Sequence, residues 1–172
     1  MIPQRIVDYL RNHSIPFERR THRRAITAPE LVDTLHVPGR RIAKTVLVKA
    51  GERVWIAVLP ATDLVDEKRL AAVVGAPDAR VLREPEFVGL FPDCEPGSEP
   101  PFGRLYGLSV VIDAALADED RIVFRAGSHH DAIEMRYEDF YRLEGRPKVS
   151  LIGRARAHET PVWTDWHDWC SQ

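Results

Sequence analysis

Two runs in the first half of the chain, RIAKTVLVKA at 41–50 and VWIAVLP at 54–60, are rich in Val and Ile and separated by Gly51-Glu52. β-Branched residues suit a pleated backbone, and a short Gly-bearing break between two such runs predicts a β-hairpin. Side chains alternate faces along a strand. Ile42, Lys44, Val46, Val48 and Ala50 therefore share one side, and Ala43, Thr45, Leu47 and Lys49 the other. Lys44 falls on the more apolar face, where a buried ammonium is costly. It either extends its stem to reach water or is held over a pocket.

The same pattern organises the rest of the chain. Ile2, Ile6, Val7 and Leu10 recur at helical spacing and predict a helix over 3–12, with Pro3 in its first turn. Residues 17–22 read as a short strand. Thr27 and Glu30 have capping-box spacing for a second helix, which ends before Pro38-Gly39. A third helix over 66–74 stops at Gly75, followed by a strand over 79–82 and a short helix over 85–90. Strands return at 108–113, 121–125 and 132–136, and a helix over 137–144 ends at Gly145 and Pro147. Strands outnumber helices without strict alternation. The expected fold is α+β: a curled mixed or antiparallel β-sheet, barrel-like, flanked by helices. One domain is expected over 1–153 and a tail over 154–172, where Trp163, Trp166 and Trp169 recur every third residue. Such a tail either docks on its own domain or anchors a subunit or partner.

Composition narrows the class. A chain of 172 residues, 44% hydrophobic and 29% charged, fits one soluble domain with an ordinary core. No apolar run approaches the roughly 18 residues needed to span a membrane. Charges interrupt the N-terminal apolar pattern, which argues against a signal peptide. Cys94 and Cys170 are isolated and lack CxxC spacing, against a zinc site or disulfide framework and in favour of the cytoplasm. The net charge of −2 hides an asymmetry: residues 1–53 carry 11 Lys/Arg against 5 Asp/Glu, and the remainder 13 against 21. Arg19, Arg20, Arg23 and Arg24 crowd around His22, and Arg40 and Arg41 precede Lys44. Two readings stand: a surface for phosphates, or solvated edge residues that block strand aggregation.

Two segments could carry chemistry. In GSEPPFG (97–103) two prolines stiffen the backbone, while Gly97 and Gly103 permit close approach or positive φ. Loops of this kind wall binding sites or merely connect elements. In GSHHDAIEM (127–135) a tight turn presents His129 and His130, whose side chains point apart along extended backbone and so do not readily share a metal. A neutral imidazole beside a pocket could handle protons near pH 7. No GxSxG elbow, Walker loop, GxGxxG fingerprint or HExxH pair occurs. Cys94 has no evident base to make it a nucleophile, and Asp113 reads as a cap of the following turn.

Taken in order, THRRAITA with His22 and Thr27, RRIAKTVLV with Lys44, GSEPPFG, GLSVVIDAAL, GSHHDAIEM and EDFYRL resemble the YbaK / prolyl-tRNA synthetase editing-domain family. The likeness runs from about residue 15 to 150. It implies hydrolysis, in trans and without metal or cofactor, of the ester joining a wrong amino acid to tRNA. Lys44 occupies the position of the family's pocket lysine, and 97–103 that of the loop closing over the aminoacyl group, with Gly97, Ser98, Pro101, Phe102 and Gly103 as substrate-binding candidates. Gly127, Ser128 and His129 match a second pocket segment, joined by His130; His22 and Thr27 complete the set. The implied partners are the acceptor end of a mischarged tRNA and an aminoacyl-tRNA synthetase, for a chain that is a monomer or homodimer with no membrane role. Alanine, serine, threonine and cysteine remain open as the amino acid. Water would be activated by His129 or by the terminal 2′-hydroxyl of the tRNA. The rival reading is a non-catalytic tRNA- or synthetase-binding module on the same fold.

Overall fold

The computed structural model describes residues 1–156; the three expected tail tryptophans and Cys170 lie outside the described residues. The hairpin forms as its pattern dictates: β2 (Ala43–Ala50) pairs antiparallel with β3 (Arg53–Pro60) along its whole length, Lys44 opposite Leu59 and Val48 opposite Trp55. β5 (Ala79–Val81) joins the far end of β2 antiparallel. β6 (Ser109–Asp113) and β9 (Lys148–Ser150) extend the other side in parallel, giving the order β5-β2-β3-β6-β9. A second sheet, β1 (Glu18–Thr21), β8 (Asp131–Arg136) and β7 (Arg121–Ser128), is antiparallel in the order β1-β8-β7. A parallel bridge from Ile42 to Val123 links the two sheets. β4 (Asp63–Val65) and β10 (Gly153–Ala155) form a separate antiparallel pair. The fold is thus the expected mixed α+β one.

Helices cover the sheets where their apolar faces require it. α1 (Gln4–Asn12) buries Ile6, Val7 and Leu10, and α6 (Tyr137–Leu143) buries Phe140 and Leu143, in the largest core cluster. Phe102 and Phe124 meet edge-to-face there, ring centroids 5.2 Å apart. α2 (Ala28–Leu35) begins with the expected capping box: Thr27 Oγ1 accepts the Glu30 N–H, and Glu30 accepts the Thr27 N–H. It seats Leu31 and Leu35 over Val123 and Ile42 in a second cluster. α3 (Glu67–Val74), capped by Asp66 and stopped by Gly75 in the left-handed region, packs Leu70 on Val48, Ala57, Val111 and Ile152. α4 (Glu84–Phe87) is shorter than expected, because residues 88–90 tighten into a 3₁₀ turn.

Three differences from the sequence pattern have local causes. β7 runs to Ser128 rather than 125, carrying an irregularity in register between Arg125 and Ser128 that lets it continue into the histidine turn. α5 (Gly103–Tyr106) starts inside the Pro/Gly-rich stretch. β4, β9 and β10 are three residues each, too short to show a period.

Candidate functional site

Past the Ile42–Val123 bridge, a cavity of about 90 Å³ opens beside β2 and β7. β2 contributes Ala43, Lys44 and Thr45, and β7 contributes Arg125. Ala28 and Leu31 of α2 close one side, and Gly97 and Glu99 of the 97–103 loop close another. Lys44 is half-buried, and its Nζ donates a hydrogen bond to the Asp63 carbonyl. Burial, with Arg156 adding like-charge repulsion, lowers its pKa to about 8 against a smaller opposing pull from Asp63. Val46, Val48 and Ala50, on the same face of β2, continue into the α3-facing core cluster.

Arg125 organises the cavity. Its Nη1 donates to the Gly97 carbonyl and its Nη2 to the Thr27 carbonyl, both at 2.7 Å, so one guanidinium ties the loop to the start of α2. Burial lowers its pKa, with Glu30 and Glu99 acting against the shift. The loop is further laced to β7 through backbone bonds: Gly127 N–H to the Ser98 carbonyl at 2.9 Å, and Glu95 N–H to the Gly127 carbonyl at 3.0 Å. Gly97 sits at φ +83°, a conformation costly for any residue with a Cβ. Glu99 is 7% exposed, its Oε1 accepting the Gly97 N–H at 2.9 Å. Burial raises its pKa.

The expected site residues fall into three groups. Lys44 and Gly97 line the cavity together, and Thr27 holds its edge through the Arg125 bond. His129 is 8% exposed and lies against Gly97, where an added Cβ would come within 3.6 Å of its Cε1. Its backbone N–H donates to Glu95 Oε2 at 2.7 Å, and its Nδ1 is buried without a hydrogen-bond partner. It is one residue removed from the cavity wall.

The remainder support the frame. Ser98, Pro101, Phe102 and Gly103 are buried, Ser98 Oγ donating to the Glu95 carbonyl and Phe102 reaching the aromatic core. A Cβ at Gly103 would lie 2.3 Å from Val110 Cγ2 and 2.5 Å from the Leu108 carbonyl oxygen, so no side chain fits there. Ser128 Oγ donates to Asp131 Oδ2 at 2.8 Å and accepts the His130 N–H, which fixes the turn. His130 is exposed, and its carbonyl accepts the His22 N–H at 2.9 Å; His22 Nδ1 contacts the Arg23 carbonyl. Glu99 and Arg125 were not singled out by the sequence pattern. Glu99 lay within the stiffened loop, and Arg125 at a strand position carried no signal.

Cys94 and the basic segment are also placed. Burial pushes the Cys94 thiol up to about 11, against a hydrogen bond shared with the Tyr106 hydroxyl, so it is a protonated thiol at neutral pH. Asp113 does cap its turn, accepting the Ala115 N–H, and also accepts the Ile152 and Gly153 N–H groups at 2.9 and 2.7 Å. Arg20, Arg41 and Arg121 converge on buried Glu134, and Arg40 pairs with Glu119. Arg20, Arg41 and Arg40 of the N-terminal half thus have carboxylate partners, with Glu134 shared among three guanidinium groups. Arg23 and Arg24 stay exposed and form no ion pair among the described residues. A broad groove of about 970 Å³ adjoins Asp63, bordered by Thr62, Arg154 and Arg156. Among the described residues no three His, Cys, Asp or Glu side chains converge to hold a metal, and no helix is long and apolar enough to cross a membrane.

Comparison with known proteins places this geometry. Residues 22–143 match the model of the aminoacyl-tRNA editing domain. Over 92 residues, 53% of the chain, the sequence is 33% identical to a proline–tRNA ligase of Thiobacillus denitrificans (strain ATCC 25259 / T1), of which it spans 16%. Two crystal structures share the fold. "Hypothetical protein APE2540" has a TM-score of 0.78 and 19% identity, over 87% of this chain and 99% of that one. A "putative trans-editing enzyme for prolyl tRNA synthetase" has a TM-score of 0.75 and 16% identity, over 88% and 96%. The family match covers well over half of the chain and includes Lys44, the 97–103 loop, Arg125 and the histidine turn: the chain belongs to the aminoacyl-tRNA editing domain family.

Proposed function

We propose that the chain is a trans-editing deacylase, hydrolysing the ester that joins a small, wrongly attached amino acid to the 3′ end of a tRNA. The observation that carries this reading is the cavity of about 90 Å³ walled by Lys44, Gly97 and Arg125. The space is small, with Ala28, Ala43 and Gly97 among its lining residues, and suits a small side chain. Alanine, serine, threonine and cysteine are the candidate amino acids. One methylene is worth only about 1–3 kcal/mol of discrimination, so selectivity among these is partial.

An aminoacyl ester is already activated, and its hydrolysis needs positioning and charge stabilisation more than a strong nucleophile. Lys44 supplies a cation beside the ester carbonyl, where oxyanion character develops as water adds. The terminal 2′-hydroxyl of the tRNA orients or deprotonates that water; His129, set back behind Gly97, positions the loop. The terminal nucleotide lies toward the groove beyond Asp63, where Arg154 and Arg156 face phosphate. No step requires a metal. The setting is the cytoplasm, with a prolyl-tRNA synthetase as the natural partner for the mischarged tRNA.

A deacylation panel over alanyl-, seryl-, threonyl- and cysteinyl-tRNA tests the reading. Turnover of one or more, abolished by Lys44→Ala in a protein that still folds, is the expected result. Binding of tRNA with no turnover on any of them would establish the binding-module alternative instead.

A further inference from the structure

Glu99 is the acidic residue on the cavity wall, 7% exposed. Its carboxylate is engaged by the Gly97 N–H at 2.9 Å and forms no ion pair among the described residues. Neither cation of the same wall comes within ion-pair distance of it, and Arg125 offsets its charge only from longer range. Arg125 commits Nη1 and Nη2 to the Gly97 and Thr27 carbonyls, and Lys44 Nζ is bonded to the Asp63 carbonyl. Glu84, exposed nearby, adds like charge, while the Glu95 carboxylate is taken by the His129 N–H. A buried carboxylate with no directly bonded counterion is unfavourable, and a cation delivered by a ligand relieves the cost. The cavity has room for a small ligand group bearing one such charge.

The substrate of the proposed reaction carries that charge, one carbon from the ester carbonyl. We infer that Glu99 receives the α-ammonium of the aminoacyl group, making the site selective for esters with a free amino terminus. This rests on the deacylase reading and deepens it. The Gly97 N–H holds one carboxylate oxygen in place, so the ammonium contact and the loop conformation are coupled through a single side chain. Esters blocked by N-acetyl or N-formyl groups lose the cation and add bulk, and are disfavoured on both counts.

The test compares alanyl-tRNA with N-acetyl-alanyl-tRNA in the wild-type protein and in Glu99→Gln, which keeps an acceptor for the Gly97 N–H. Charge-assisted hydrogen bonds are about twice as strong as neutral ones, so the wild type should favour the free amine by about tenfold or more in kcat/KM. In Glu99→Gln the preference should shrink toward the part due to acetyl bulk alone. Equal loss on both substrates marks Glu99 as a loop brace only and overturns the inference, as does a wild-type protein that hydrolyses both equally. Titration with a non-hydrolysable amide-linked alanyl-adenosine and its N-acetyl form reads the same preference without turnover. A free-amine preference in binding, lost in Glu99→Gln, together with no deacylation of any aminoacyl-tRNA, overturns the deacylase reading while sustaining the ammonium site. Binding of neither compound overturns the inference, and deacylation of the panel then still sustains the enzyme.

Discussion

Arg125 donates from Nη1 to the carbonyl of Gly97 at 2.7 Å, and this bond joins strand β7 to the loop that covers the cavity. With Nη2 held by Thr27, the guanidinium spans two carbonyls that a single ammonium cannot reach together. Arg125→Lys is therefore expected to lower kcat/KM for deacylation by about 10- to 100-fold while costing only about 1–2 kcal/mol of stability. Steady-state kinetics beside urea unfolding checks both. An unchanged kcat/KM would show that the loop needs no such tie.

Lys44 should give the reaction a pH signature. Its pKa is lowered to about 8, so the cation present at neutral pH is lost as the pH rises through that value. After subtraction of spontaneous ester hydrolysis, activity is expected to fall above about pH 8. Lys44→Arg, which keeps the charge at all accessible pH, should abolish that fall even if its overall rate is lower. A wild-type profile still rising at pH 9 would deny the ammonium its role.

Glu144 gives a stability signature of the opposite sign to an ordinary surface carboxylate. It is 6% exposed, and burial raises its pKa to about 7 against bonds from the Arg104 N–H and Tyr9 hydroxyl. A carboxyl raised in the folded state favours folding fully while both states are protonated, and this contribution is lost as pH rises through the folded value. Glu144→Gln should raise the melting temperature at pH 8 and lose that advantage toward pH 4.5. Thermal unfolding at the two pH values decides it.

Gly103 and Gly97 should respond differently to alanine. At Gly103 the new Cβ meets Val110 and the Leu108 carbonyl at 2.3 and 2.5 Å, and the expected cost is about 3 kcal/mol or more. At Gly97 the neighbours leave ordinary space, and the cost is the left-handed backbone, about 1–2 kcal/mol. Gly97→Ala should instead harm turnover more than stability. Parallel denaturation and activity curves separate the two.

Of the cations crowding His22, Arg23 and Arg24 are exposed and form no ion pair among the described residues, and they are expected to read tRNA phosphates. The double variant Arg23→Ala/Arg24→Ala is expected to flatten the dependence of log affinity on log salt by about one unit per lost contact. Filter binding over a salt series measures the slope. No change would place the phosphate surface elsewhere, with Arg154 and Arg156 next to be tested.

The regular elements were legible wherever a period had room to repeat: the β2–β3 hairpin, the helix over α1 and the Thr27–Glu30 box all follow from spacing. β4, β9 and β10 were not, since three residues cannot show alternation and their pairing is fixed by distant partners. The site was half visible. Lys44 stood out as a cation among apolar neighbours, and the Gly/Pro composition marked the loop. Which side chains of that loop face the cavity depends on its anchoring. Phe102 turns into the aromatic core while Glu99 turns to the cavity, and nothing in GSEPPFG distinguishes these two fates. Arg125 was hidden for a related reason: its role is defined by two backbone carbonyls, which carry no sequence identity.

Asp113 has a consequence for where the polypeptide may be cut. Its buried carboxylate is satisfied from residues 152 and 153, nine and ten residues beyond the segment matched to the family. A fragment ending at 143 would keep every cavity residue, yet leave that anion in the interior facing no donor but the Ala115 N–H. A fragment extended through Ala155, where β10 completes its pairing with β4, is expected to be more stable than one ending at 143.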